Sequence, residues 1–315
     1  MIGFILAAGF GTRLKPLTDH VPKALVPVCG VPLITRAYDF LFANGIRNIG
    51  CNSHYKHDVV RSYVVQNHAS MTMFHEETAI RGTGGALHFA KEFLTDNDSF
   101  CIANVDIIST VDLKKIIQEF QESGSVAALV AAPSLNGSIF YHRETKDYIG
   151  TRSQKRDKNE IAPSAQSADF IGLALYRREF LAVLKPDDFS IVPVWTRAQN
   201  LGMKISVIET GPVYWIDTGT AQTLAQVHFD FLDEKIAFPI PSAIHVETKQ
   251  KKAYPIEFSA AQQNQLGRYC WVESTRIPPG ALLQFSVVFS DAEITQTTMT
   301  NNAIVTRYGV INFGK

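Results

Sequence analysis

Along the first two-thirds of the chain, short apolar runs alternate with segments whose apolar residues recur every third or fourth position. Residues 2–6 read as a buried strand. Apolar positions 34, 37, 38, 41 and 42 then form a helical stripe that Gly45 ends. The alternation continues with a strand at 49–52, a helix at 58–66, a strand at 71–74, a helix at 86–93 and a strand at 99–104. A helix at 113–120, with Ser109 or Thr110 as its expected cap, leads to a strand at 126–131. Strands alternating with helices predict βαβ units, hence an α/β fold with a doubly wound, mainly parallel sheet. Sheets of this kind take their ligands outside the carboxyl ends of the strands.

The pattern then changes twice. Residues 133–170 are polar and without period, and read as irregular, with Lys155-Arg156-Asp157-Lys158 as a solvated loop. Strands at 170–176, 205–208 and 214–216 follow, with helices at 179–184, 194–200 and 220–232. Beyond them, Phe238-Pro239-Ile240-Pro241 and the charged run 247–252 look like a linker. Residues 268–315 are rich in β-branched residues, Gly and Asn, with no helical period. The expected division is therefore 1–237, a linker at 238–267, and a short C-terminal β element at 268–315.

Composition narrows the function classes. Lys and Arg number 30, as do Asp and Glu, so no global field favours nucleic acid or an anionic membrane. The apolar start is too short for a signal peptide and lacks its basic flank. No segment is long enough to span a bilayer. Cys29, Cys51, Cys101 and Cys270 form no pair at metal or redox spacing, and the histidines form no ligand pattern. Reduced thiols in a cytoplasmic protein are expected.

The chemistry is concentrated where the first strand breaks into Ala7-Ala8-Gly9-Phe10-Gly11-Thr12-Arg13-Leu14, with Pro22-Lys23 shortly after. Glycines let a backbone turn tightly and approach an anion without a Cβ in the way. The N–H groups of such a loop form an anion-binding concavity, and Arg13 and Lys23 add full charges. A dinucleotide fingerprint would need a third glycine where Leu14 stands and an acid at the end of the next strand, which instead ends in Asn52-Ser53-His54. A P-loop would need Gly-Lys-Ser/Thr, which is missing here.

Residues 5–33 resemble the signature of the sugar-1-phosphate nucleotidylyltransferase family. The order Ile5-Leu6-Ala7-Ala8-Gly9-Phe10-Gly11-Thr12-Arg13-Leu14, Pro16-Leu17-Thr18, Pro22-Lys23-Ala24-Leu25-Val26-Pro27-Val28 and Gly30-Val31-Pro32-Leu33 carries the likeness. The resemblance implies a Rossmann-like sheet and transfer of a nucleotidyl group from an NTP to a sugar-1-phosphate, giving NDP-sugar and pyrophosphate with Mg²⁺. It implies nucleotide contacts from Leu6, Ala7, Ala8, Gly9, Gly11, Thr12, Arg13 and Lys23, and from Gly82, Thr83 and Gly84, with Glu76 or Glu77 near the base. Asp106, at the end of an apolar strand, and Asp217, in Trp215-Ile216-Asp217-Thr218-Gly219-Thr220, match the family's metal-binding acids; Arg13, Lys23 and Asp106 are the implied catalytic residues. Asn104, Gly172 and Trp215 are expected on the sugar side.

Two departures stand out. Val105 replaces a glycine of the family pattern, and no Glu-Lys pair for the sugar phosphate lies between Tyr141 and Ala168. Lys146, Arg152 and Lys155 are open substitutes. The missing pair points to the branch similar to N-acetylmuramate-1-phosphate uridylyltransferases and heptose- or mannose-1-phosphate guanylyltransferases. The tail, Cys270-Trp271-Val272 through Ile294, resembles a short left-handed β-helix, a structural or homo-oligomerising element whose ends need capping. A phosphocholine cytidylyltransferase would need an aromatic cage, for which Tyr141, Tyr148, Tyr176 and Trp215 are candidates. A catalytically silent nucleotide-sugar binder remains a further alternative.

Overall fold

The computed structural model describes residues 1–154, 164–292, 294 and 299–314. By its internal contacts the chain divides into two units. Met1–Gly9 with Ala37–Trp215 forms the first, and Phe10–Arg36 with Ile216–Lys315 forms the second.

The first unit is built on a nine-stranded sheet. Strand Ile2–Leu6 lies between Ser99–Asn104 and Asn48–Ser53, parallel to both, and Asn48–Ser53 pairs in parallel with Thr72–His75. Four of the five residues of Ile2–Leu6 are buried. A strand covered on both faces must be apolar throughout, which is why it reads as a run and not an alternation. Ala165–Arg177 runs antiparallel to Ser99–Asn104, to Ala127–Pro133 and to Ile139–His142. Ala127–Pro133 in turn pairs in parallel with Ile205–Glu209. The core gathers Phe4, Phe100, Leu129, Tyr176, Phe180 and Trp195.

Local readings shift in three places. The stretch 133–170 is not irregular throughout: Ile139–His142 and Tyr148–Thr151 form an antiparallel pair, and Ala165 already belongs to the long strand. Each of these two strands is only four residues long, too short for a period to stand out from the polar stretches around it. Lys155 and its charged neighbours lie outside the described residues. Helix Leu113–Glu122 is capped by Asp112, whose side chain accepts from Lys115 N at 3.3 Å, and not by Ser109 or Thr110. Asp112 directly precedes the helix, whereas Ser109 Oγ accepts from Val111 N–H, and Thr110 donates its N–H to Tyr214 O while its Oγ1 accepts from Tyr214 N–H. The helix expected at 86–93 begins earlier, at Gly82, and spans Gly82–Phe89.

The second unit contains helix Ala221–Leu232 and a six-stranded sheet. Thr220 caps the helix reciprocally with Thr223. Strands Lys252–Pro255, Cys270–Val272, Leu282–Val288 and Met299–Thr306 stack in parallel, one above the next. Antiparallel strands Ile244–Glu247 and Gly309–Asn312 close the two ends, so the stack is β-helix-like with its parallel edges covered. Side chains alternate across each rung. Cys270 and Val272 enter a cluster with Tyr254, Leu266, Leu283 and Val288, while Trp271 turns the other way against His228 and Phe231.

Candidate functional site

In the first unit, a chain of hydrogen bonds ties together the carboxyl ends of three parallel strands. Ala7 N–H donates to Asn52 Oδ1 at 2.7 Å, and Asn52 Nδ2 donates to Glu76 Oε1 at 2.8 Å. Glu76 Oε2 accepts from Arg81 N–H at 2.7 Å. Glu76 is 0% exposed. Both oxygens of this carboxylate are thus engaged by the protein, which fixes the first turn after Leu6 and the loop leading to Gly82. Asn52 completes the relay. Its only signal in the sequence was a polar residue ending an apolar strand.

Gly82, Thr83 and Gly84 form the first turn of their helix. Gly82 has φ +68°, and a Cβ there would overlap the Phe189 carbonyl. A Cβ on Gly84 would stand 2.8 Å from Asp188 O. Gly84 N–H donates to Phe189 O at 3.1 Å, and Thr83 Oγ accepts from Ile191 N–H at 2.9 Å. The glycines therefore admit the 188–191 loop to within hydrogen-bond reach. That loop is anchored by a bidentate pair from Arg197 to Asp188, at 2.6 and 2.8 Å. The Arg197 guanidinium outweighs burial and holds the Asp188 carboxyl below its ordinary pKa. A depressed carboxyl stabilises the fold above its unfolded pKa, and that stability is lost as pH falls through the folded value. Acid titration below about pH 4 is expected to loosen the Gly82 turn in the wild type. Asp188→Asn, followed by amide exchange at Gly84, should abolish that pH dependence.

Asp106 follows strand Ser99–Asn104 and is 8% exposed. Val105 N–H donates to Leu6 O at 3.2 Å, so pairing to the first strand persists to the residue before it. Gly172 sits at a bulge in Ala165–Arg177 with φ +74°. A Cβ there would stand 2.6 Å from Ile107 Cγ1 and 3.1 Å from Asn104 Nδ2. Asn104 and Gly172 are thus brought together, and only glycine fits. Trp215 opens strand Trp215–Asp217 and is half-buried.

In the second unit, Gly11 has φ +66° and starts a 3₁₀ turn at Thr12–Leu14. Its carbonyl accepts from Thr18 Oγ at 2.8 Å and from Leu14 N–H at 2.9 Å. A Cβ on Gly11 would stand 2.8 Å from Thr18 Cγ2 and 3.0 Å from Lys23 Cβ. The glycine therefore lets the stem of Lys23 lie against the loop. Arg13 Nη2 pairs with Asp217 Oδ2 at 3.2 Å, with side chains 57% and 40% exposed. Gly219 N–H donates to Asp217 Oδ1 at 2.6 Å. Burial opposes the Asp217 charge, but Gly219 N–H, Arg13 and Lys23 outweigh it and hold the pKa below the ordinary value.

Asp106, in the first unit, and Asp217, in the second, are each carboxylates of the kind a hard cation takes as ligands. Asp217, held ionised and only partly engaged by Arg13 and Gly219 N–H, has carboxylate lone pairs to offer. Among the described residues, no group of three or more His, Cys, Asp or Glu could hold a metal. No helix among them is long and apolar enough to cross a membrane.

Of the substitutes for the sugar-phosphate lysine, Arg152 Nε donates to Gly137 O at 2.9 Å and Lys146 Nζ lies 3.9 Å from Glu209. Tyr141, Tyr148 and Tyr176 are buried core residues. Tyr141 OH donates to Glu209, and Tyr176 OH accepts from Trp195 Nε1 at 3.0 Å. These three tyrosines are packed away and present no cage for a quaternary ammonium.

The chain is 29% identical over 234 residues to an N-acetylmuramate alpha-1-phosphate uridylyltransferase of Caulobacter vibrioides, covering 70% of this chain and 93% of that protein. It is 35% identical over 158 residues to a mannose-1-phosphate guanyltransferase of Eremothecium gossypii, covering 47% of this chain and 44% of the relative. The chain thus spans less than half the length of that guanyltransferase. The fold matches a crystal structure of a putative glucose-1-phosphate thymidylyltransferase from Bacillus anthracis, with a TM-score of 0.61, 22% identity, and coverage of 76% of this chain and 98% of that one. Residues 2–140 match the family model described as nucleotidyl transferase. That segment, which holds the glycine loop, both loop cations and Asp106, is the part of the chain that is similar to the nucleotidyl transferase family.

Proposed function

We propose that this protein transfers a nucleotidyl group from an NTP to a sugar-1-phosphate, releasing pyrophosphate. The observation that carries the reading is the Gly11 turn, which sets Lys23 against the loop beside Arg13, itself paired with an ionised Asp217. The relatives' names support the sugar-1-phosphate as acceptor.

The sugar phosphate is already an anion, so the chemistry needs no Ser, Cys or His nucleophile. Its obstacle is the repulsion between two polyanions. Arg13 stabilises charge on the departing pyrophosphate, and Lys23 neutralises the α-phosphate and the attacking oxygen. Catalysis of this kind is positioning and electrostatics. We assign Asp106 and Asp217 as the acids that would hold Mg²⁺, which when bound would offset phosphate charge. Ala7, Ala8, Gly9 and Thr12 line the loop through their backbone. The Gly82–Gly84 turn, held by the Glu76 relay, receives the base. Asn104, Gly172 and Trp215 face the sugar. The C-terminal β element is a candidate surface for self-association.

A pyrophosphate-release screen of the four NTPs against a panel of sugar-1-phosphates, with and without Mg²⁺, tests the reading. Release that requires both substrates and the metal is expected. A panel in which no pair releases pyrophosphate, while nucleotide still binds, would favour a silent binder instead.

A further inference from the structure

The second unit contains a built receptor for one tight turn. Pro27–Val28 and Val31–Pro32 pair as a two-residue hairpin whose tip, Cys29 and Gly30, has φ +47° and +74°. Two successive left-handed residues are the mark of a type I′ turn. A non-glycine residue with positive φ is uncommon and is held there by its surroundings.

The polar groups of this tip are bound by side chains. Cys29 N–H donates to His228 Nε2 at 2.9 Å. His228 Nδ1 faces Leu224 O at 2.7 Å, an arrangement that sets the imidazole as donor there and acceptor toward Cys29. Val28 O accepts from Arg36 Nη2 at 2.6 Å and Nε at 2.9 Å, and Cys29 O accepts from Nη2 at 3.3 Å. Gly30 N–H donates to the Glu273 carboxylate, which also accepts from Ser290 N–H and, at 2.8 Å, from Trp271 Nε1. Pro241 closes the turn from outside, since a Cβ on Gly30 would stand 2.7 Å from its Cγ. The hairpin itself is continuous with the Lys23–Leu25 turn, and Leu33 N–H donates back to Val26 O at 3.1 Å.

We infer that Glu273, together with His228, is a positioning residue: it grips the Cys29–Gly30 turn and thereby fixes the segment that carries Lys23, making the C-terminal coil part of the nucleotidyl-transfer machinery. The inference rests on the role given to Lys23 above. The geometry goes beyond ordinary packing because four backbone groups of one turn meet side chains from three separate elements.

The grip responds to pH. Burial pushes the Glu273 carboxyl up to about 7. The groups facing the turn are Cys29 itself, His228 on the helix, Arg36 on the following helix and Asp291 beside Ser290. Burial drives the Cys29 thiol well above its ordinary value and lowers His228 to about 3, so both stay neutral near pH 7. Ionised Glu273 accepts from all three N–H donors. Protonated, it presents an O–H where only donors face it, and one bond is lost.

Two measurements decide the matter. In the wild-type protein, the amide of Gly30 and the indole N–H of Trp271 should titrate by NMR with a shared midpoint of about pH 7. In Glu273→Gln, both titrations should vanish. The variant's kcat for pyrophosphate release should fall on the order of 10–100-fold, with KM for the nucleotide little changed, and the acidic limb of its pH profile near neutrality should be gone. A Gly30 amide that reports no carboxylate titration at all, in the wild type as in Glu273→Gln, overturns the grip. A titrating amide with an unchanged kcat and pH profile in Glu273→Gln overturns the positioning role. Absence of pyrophosphate release in the wild type would remove the reaction and with it the role of Lys23, while the NMR titration would still report on the turn.

Discussion

Arg13→Ala is expected to lower pyrophosphate release by about 10²–10³-fold, the order of loss seen when one preorganised donor aimed at developing charge is removed. The fold should survive, because the pair that Arg13 makes with Asp217 is more than a third exposed on both sides. Exposed ion pairs contribute about 0–1 kcal/mol. The loss should appear in kcat more than in KM if Arg13 acts on charge that develops as pyrophosphate departs. Asp106→Ala should cause a loss of similar size, accompanied by a weaker dependence on magnesium concentration. Steady-state rates and thermal melts on the same samples separate these effects from unfolding. Turnover within a few-fold of wild type in either variant would take that residue out of the mechanism.

Glu76→Ala should be the most destabilising single change near the candidate base site. It leaves Asn52 Nδ2 and Arg81 N–H facing a space closed to solvent. Each buried donor without a partner costs about 1–3 kcal/mol, so the pair costs roughly 2–6 kcal/mol. Glu76→Gln should cost less, yet not nothing. If its amide oxygen accepts from Arg81 N–H, its NH₂ points at Asn52 Nδ2, and flipping Asn52 would turn that NH₂ on Ala7 N–H. Urea unfolding checks the order Ala, then Gln, then wild type. A Glu76→Ala midpoint equal to wild type would mean that water enters and replaces the carboxylate.

Much of the first unit was legible in residue patterns because its central strands are covered on both faces. Ile2–Leu6 and Ser99–Asn104 are continuous apolar runs, and the helix stripe beginning near Ile34 has the right period. Legibility failed where strands are short or only partly apolar. Ile139–His142 and Tyr148–Thr151 are four residues each, too short to show a period, and the long strand Ala165–Arg177 was recognised only in its apolar half. The glycines at 82 and 84 were visible as a loop fit for a nucleotide. Nothing in their spacing indicated that the 188–191 loop would press against them, since that contact joins segments about a hundred residues apart. Glu76 was picked out for a place near the base, but its two engaged oxygens depend on Asn52 from the neighbouring strand and on the loop that turns Arg81 N–H back toward it.

Local order along the chain was sufficient for the glycine loop, its two cations, the strand-end acids and the alternating architecture, because each is written in neighbouring residues. The partners were decided only by tertiary structure: Arg13 with Asp217, Gly11 with the Lys23 stem, and the Cys29–Gly30 turn with His228 and Glu273. These contacts bring residues 10–36 together with the chain beyond 216. Hydrogen bonds and close approaches of that kind depend on where the folded backbone returns, and no local period of apolar residues encodes the return.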